Sequence, residues 1–352
     1  MKPLQGERVA LPSFDTGPAG AASPQTGNSG TREVPPRSLV APETVSPQMQ
    51  ALIARPSNPA FPSVPATIEE WKTRIETANR TVAATLPRLR QTLSVDVEPT
   101  VVGGVHCFQV VPKTIAPQHR NLVLLHLHGG VRVFNGGEAG TREAILMAGF
   151  GGYRVISVDY RMPPDFPFPA APDDALAAYR GLLSTTDATR IGIFGSSAGG
   201  SLTYVMLLRA KMEGLPMPAA IATGSPTVDL TRTGDSLVTN AHVDNVLVTQ
   251  EGFIAATALL YADGRDLSDP LLSPIYGDVA GFPPAILTSG TRDLYLSNAV
   301  RMHRKLRGAG VEAVMQVWEG QSHVQYMADP AAPETREYHE EVVRFLDRYL
   351  VR

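Results

Sequence analysis

The stretch Arg190-Ile191-Gly192-Ile193-Phe194-Gly195-Ser196-Ser197-Ala198-Gly199 reads as an apolar strand, a sharp turn and the start of a helix, with a serine at the tip. Glycines two residues before and two residues after Ser197 let strand and helix approach closely around a strained residue. Such a turn holds the Ser197 hydroxyl above the sheet edge, clear of its own backbone. Serine is a weak nucleophile at its free pKa. The rest of the chain must therefore supply a base, an acid that orients the base, and a site for developing negative charge.

Outward from that turn, a helical pattern covers 202–212, and strand-like runs precede it at 101–111, 121–127 and 153–158. A helical stretch over 170–183 separates the last of these from the strand before Ser197. Downstream, strands at 219–225, 284–289 and 311–318 alternate with helices at 297–310 and 335–350, and Gly310 is a stop signal. Alternating strands and helices predict an α/β chain whose mostly parallel sheet is covered on both faces. In such sheets ligands bind outside the carboxyl ends of the strands.

The 352 residues suffice for one large α/β domain with a smaller appendage, or for two modest domains, and a 43% hydrophobic, 18% charged composition is that of a globular chain. A net charge of −3 gives no basic footprint for nucleic acid. The single cysteine, Cys107, excludes an internal disulfide framework and a thiolate metal cluster, and its strand-like surroundings predict a plain buried thiol. No apolar run reaches 18 residues, and the start of the chain lacks a basic region followed by an apolar core. Cytoplasm is the default expectation, although an exported mature form would look the same.

Residues 1–45 are rich in Pro, Gly, Ser, Thr and Ala and read as an N-terminal arm: a disordered tail, or an ordered arm anchored by Val9, Leu11, Phe14, Leu39 and Val40. Helical signals begin at Ser46-Pro47 and again at Thr67, with Trp71, Ile75 and Val82 at helical spacing.

Two residues meet the needs of Ser197. His323 follows the 311–318 strand, and Asp293 follows the strand before it. The chain order Ser, Asp, His is that of the strand–turn–helix serine hydrolases. In this reading Ser197 attacks an acyl carbon, His323 takes and returns the proton, and Asp293 holds the imidazole tautomer. Asp263, Asp266 and Asp269 compete weakly from a polar loop, while His303 and His339 fall within helices. The strand at 121–127 runs into His128-Gly129-Gly130-Val131, whose glycines let the N–H groups of Gly129 and Gly130 turn, with that of Ala198, towards an oxyanion. His128 is expected to brace this loop without titrating, and Val131 to border the substrate.

His128-Gly129-Gly130, Asp159-Tyr160-Arg161 with Pro167-Phe168-Pro169-Ala170-Ala171, the Gly195–Gly200 block, and Asp293 with His323 together resemble the hormone-sensitive-lipase family of α/β-hydrolase carboxylesterases, over about residues 95 to 350. The resemblance implies an α/β-hydrolase fold with an eight-stranded, mostly parallel sheet and a helical cap. The cap would be built from 46–95 and an insertion at about 226–275, with 96–352 as the catalytic domain. It implies hydrolysis of small to medium carboxylic esters through a Ser197-His323-Asp293 triad, with neither metal nor organic cofactor. A homodimer through the last strand and helix is a further expectation from look-alikes.

Two departures from the family pattern matter, while a third, Pro164-Asp165 where the family prefers Ala-Pro-Glu, touches support and not chemistry. Val131 stands where a third glycine is usual and is expected to crowd the pocket. Ser196 replaces the usual Asp or Thr before the nucleophile and is expected to face away from the reaction. A lactone hydrolase is the main competing reading. An esterase for bulky xenobiotic esters is another, prompted by the long arm and the aromatic residues Phe61, Trp71, Phe253 and Tyr261. A non-catalytic receptor is disfavoured because His323 is present. Stable membrane association is not expected, because no long basic amphipathic lid is visible.

Overall fold

A computed structural model describes residues 34–57 and 63–351. Most of the arm, including Val9, Leu11 and Phe14, lies outside the described residues, as does Phe61. Residues 34–40 form neither helix nor strand.

Three helices come first: α1 (Pro47–Ile53), α2 (Ile68–Ala83) and α3 (Leu86–Leu93). Their starts are as the sequence requires. Ser46 caps α1 by accepting from the Met49 N–H, with Pro47 opening the helix. Thr67 caps α2 by accepting from the Glu70 N–H, and the Glu70 carboxylate reaches back to the Ala66 N–H at 2.7 Å.

Eight strands then form one sheet: β1 (Val95–Val102), β2 (Val105–Pro112), β3 (Val123–Leu127), β4 (Val155–Val158), β5 (Ile191–Ser196), β6 (Ala220–Gly224), β7 (Ala285–Gly290) and β8 (Ala313–Trp318). Their spatial order is β1-β2-β4-β3-β5-β6-β7-β8, parallel from β4 to β8 and antiparallel where β2 meets β1 and β4. The single strand-like run read at 101–111 is in fact the meeting of two strands. Gly103 and Gly104, at φ 59° and 81°, turn the chain between them, and only glycine adopts such values at little cost.

The connecting helices are α4 (Arg142–Gly151), α5 (Ala170–Leu183), α6 (Ala198–Met212), α7 (Ser236–Thr239), α8 (Phe253–Ala262), α9 (Leu296–Gly308) and α10 (Pro333–Leu350). Apolar residues of α3, α4 and α10 pack on one face of the sheet, and those of α5, α6 and α9 on the other. Strands β3 and β5 are buried on both faces along their whole length, which is why they read as continuous apolar runs.

Helix α2 packs against helix α8, which lies between β6 and β7 in the chain. Trp71 stacks on Phe253 with centroids 5.3 Å apart, Arg74 lies 4.0 Å over the same ring, and Phe134 stacks on it at 5.6 Å. No helix among the described residues is long and apolar enough to cross a membrane.

Candidate active site

Ser197 stands between β5 and α6 at φ 57°, ψ −121°, a backbone conformation that L-residues rarely take. The close approach that permits it is made at the glycines. A Cβ at Gly195 would lie 2.2 Å from the Leu127 carbonyl oxygen, and one at Gly199 only 1.9 Å from the same atom. Surrounding bonds then fix the turn: the Ser197 N–H donates to Gly224 O at 2.7 Å, and Ser197 O accepts from Thr227 N at 3.2 Å.

His323 and Asp293 meet behind this turn. The His323 Nδ1 is 3.0 Å from Asp293 Oδ1, and both side chains are buried. Because the carboxylate only accepts, Nδ1 carries the proton and Nε2 presents its lone pair. That Nε2 is buried and has no protein partner. The Asp293 carboxylate also accepts from the Tyr295 N–H and the Ser289 hydroxyl, each at 2.8 Å. Burial opposes its charge, yet His323, the Ser225 hydroxyl and the Tyr295 N–H hold its pKa below the ordinary carboxylate value.

Ser197 and His323 border one cavity of about 300 Å³, together with Gly129, Gly130, Val131 and His128. A larger open groove of about 640 Å³, between α2 and residues 159–166, contains none of Ser197, Asp293 and His323.

The loop after β3 is unusual in its backbone. Gly130, Val131 and Arg132 take φ of 123°, 46° and 68° in succession, and for β-branched Val131 this is a genuine outlier. Such conformations persist only where the surroundings over-determine them. Here Gly129 O accepts from His128 Nδ1 at 2.8 Å and Asn135 Nδ2 at 3.2 Å, Tyr160 donates to His128 O at 2.5 Å, and Arg132 donates to Thr227 O at 3.1 Å. The N–H groups of Gly129, Gly130 and Ala198 donate to no protein acceptor among the described residues. His128 stacks on Tyr160 at 4.1 Å, and burial pulls its pKa down to about 4 against the opposing Gly129 carbonyl.

Ser196 borders the cavity, and its buried hydroxyl donates to Glu143 Oε1 at 2.7 Å; Glu143 borders the cavity too. Glu143 lies in the first turn of α4, where a carboxylate reads as an ordinary surface residue. A second carboxylate that sequence reasoning missed is Asp244, which bonds the N–H groups of His323 and Leu294. Trp71, Phe253 and Tyr261 are buried in packing and none borders the cavity, whereas Phe134 does.

Known proteins share this architecture. A family model described as the alpha/beta hydrolase fold matches residues 124–327. The structure of an esterase, E25, superposes with a TM-score of 0.88 at 42% identity, covering 91% of this chain and 99% of that one. An esterase from the bacterial hormone-sensitive lipase family gives 0.74 at 30% identity, covering 87% and 99%. An acetyl-hydrolase of Streptomyces hygroscopicus is 33% identical over 214 residues, 60% of this chain and 71% of its own length. The chain belongs to the α/β-hydrolase fold family, in its hormone-sensitive-lipase group of carboxylesterases.

Proposed function

We propose that the chain hydrolyses small to medium carboxylic esters through an acyl-enzyme on Ser197, with His323 as general base and acid and Asp293 as its orienting partner. The observation that carries this reading is the convergence of a strained serine and an unpartnered, buried His323 Nε2 on one cavity of about 300 Å³.

In the first half-reaction Ser197 Oγ bonds to the ester carbonyl carbon while His323 Nε2 takes its proton. The negative oxygen of the tetrahedral intermediate is received by the N–H groups of Gly129, Gly130 and Ala198, each worth about 3 kcal/mol in the transition state. Ala198 is the first residue of α6, so the helix N-terminus adds its positive end to the same place. Collapse breaks the bond to the alcohol oxygen, which leaves with the proton from His323. A water then attacks the acyl-enzyme, giving its proton to His323, and the carboxylic acid departs as Ser197 is reprotonated. Asp293 stays ionised throughout and stabilises the imidazolium.

The cavity volume and the lining by Val131, Val246 and Leu247 support short acyl or alcohol groups. Turnover of p-nitrophenyl acetate by the intact chain and by Ser197→Ala tests the reading. The variant is expected to lose at least about a thousandfold; equal rates would end the esterase claim.

A further inference from the structure

Asp244 lies in the 226–275 insertion, outside every motif, yet its carboxylate is fully buried. Its Oδ1 accepts from the N–H groups of Val246 at 2.8 Å and Leu247 at 3.0 Å. Its Oδ2 accepts from the N–H groups of Leu294 at 2.8 Å and His323 at 3.2 Å. All four lone-pair positions thus face N–H donors, which leaves no acceptor for a proton of its own. This is the geometry of an ionised carboxylate. Burial and the Asp293 charge push its pKa up, while His323 and the Leu294 and Leu247 N–H groups oppose that rise.

The four donors belong to three separate parts of the site. His323 is the base, Leu294 follows the acid Asp293, and Val246 and Leu247 border the cavity. Asn245 reinforces the junction: its N–H donates to the Ser322 hydroxyl at 3.2 Å, its amide donates to Leu52 O at 3.0 Å, and its carbonyl accepts from Gln325 Nε2 at 2.8 Å. The segment that carries Asp244, from 242 to 250, is held in a shape it would not take alone. His242 and Val248 sit at φ 61° and 64°, tied by a 2.6 Å bond from His242 N to Val248 O.

We propose that Asp244 is a positioning residue for the hydrolysis, locking the base loop, the acid loop and the cavity wall together and placing a second fixed anion beside the His323 imidazolium. It acts through His323 and so rests on the assignment of that residue as the base. The charged and titratable groups around it are Asp293 and Tyr295 from the loop before α9, His323 from the loop after β8, and Arg132, which acts on Tyr295 from the loop after β3.

The test is the pH profile of kcat on p-nitrophenyl butyrate for the full chain, Asp244→Asn and Ser197→Ala. Loss of one anion destabilises the imidazolium, so the acid limb for Asp244→Asn is expected to move down by about one pH unit. Its plateau kcat is expected to fall by roughly tenfold to a hundredfold, from misplacement of the base. A folded Asp244→Asn with an unmoved acid limb overturns the proposal, whatever its kcat, because a merely structural residue would give that result. If Asp244→Asn does not fold, Asp244→Ser, which leaves room for a water among the four N–H groups, is expected to show the same shift. Failure of both to fold would overturn the proposal and leave a structural role alone. An active Ser197→Ala would instead bring down the catalytic reading, and this inference with it.

Discussion

Ser197, Val131 and Gly199 show what single residues must tolerate around the proposed nucleophile. A Cβ at Gly199 would sit 1.9 Å from the Leu127 carbonyl oxygen, and the contact is backbone, so nothing flexible can yield. Gly199→Ala is expected to abolish both activity and cooperative folding, read by turnover and thermal melting; a variant melting within a few degrees of the parent would contradict this. Val131 occupies a left-handed conformation with a β-branched side chain at the cavity wall. Val131→Gly is expected to raise the ratio of p-nitrophenyl octanoate to acetate turnover by about tenfold, as a few methylenes of space become available. An unchanged ratio would show that Val131 does not limit the pocket. Much of this scale was legible, because glycines around a serine and a strand-ending Gly129-Gly130 constrain the backbone locally. Glu143 and Asp244 were not, because each is one acid in an ordinary polar context. Their importance comes from chain segments that meet only in the fold.

At the scale of elements, the β1–β2 hairpin is the clearest difference between sequence and structure. Alternating residues run up to Gly103-Gly104 and resume after it, so periodicity alone did not reveal the reversal. The turn also docks on α5. A Cβ at Gly103 would meet the Ala177 carbonyl oxygen at 1.9 Å, whereas one at Gly104 would meet nothing within 4 Å. Gly104→Ala is therefore expected to cost about 1 kcal/mol from its positive φ alone, and Gly103→Ala about 3 kcal/mol or more. Urea unfolding measures both, and equal losses would contradict the docking. Cys107 lies in β2, fully buried, and burial pushes its thiol up to about 12. It is expected to resist thiol reagents in the native protein and to react once unfolded.

For the whole molecule, two buried imidazoles contribute to its response to acid. His128 and His339 are buried, and burial pulls each down to about 4. In the unfolded chain they take up protons near the ordinary value of about 6.5. The unfolded state therefore binds more protons between these values, so stability rises with pH across that window and is lost as pH falls towards 4. His339 is remote from the cavity, and His339→Gln is expected to reduce proton uptake on unfolding at pH 5 by about one, read from the pH dependence of the urea midpoint. An unchanged dependence would place His339 outside this effect. The α/β alternation and the placement of candidate residues after β3, β5, β7 and β8 were readable from periodicity and turn chemistry. The closing of the cavity by the strap from 242 to 250 was not, since its path is set by tertiary bonds.

The most direct measurement is the mass of the intact chain after reaction with an alkyl fluorophosphonate, followed by peptide mapping and assay of residual activity. The expected result is one adduct per chain on Ser197, activity lost in proportion, and no adduct on Ser197→Ala or, within the same time, on His323→Ala. Full activity in the labelled protein, or an adduct on another residue that accounts for the loss, would contradict Ser197 as the nucleophile.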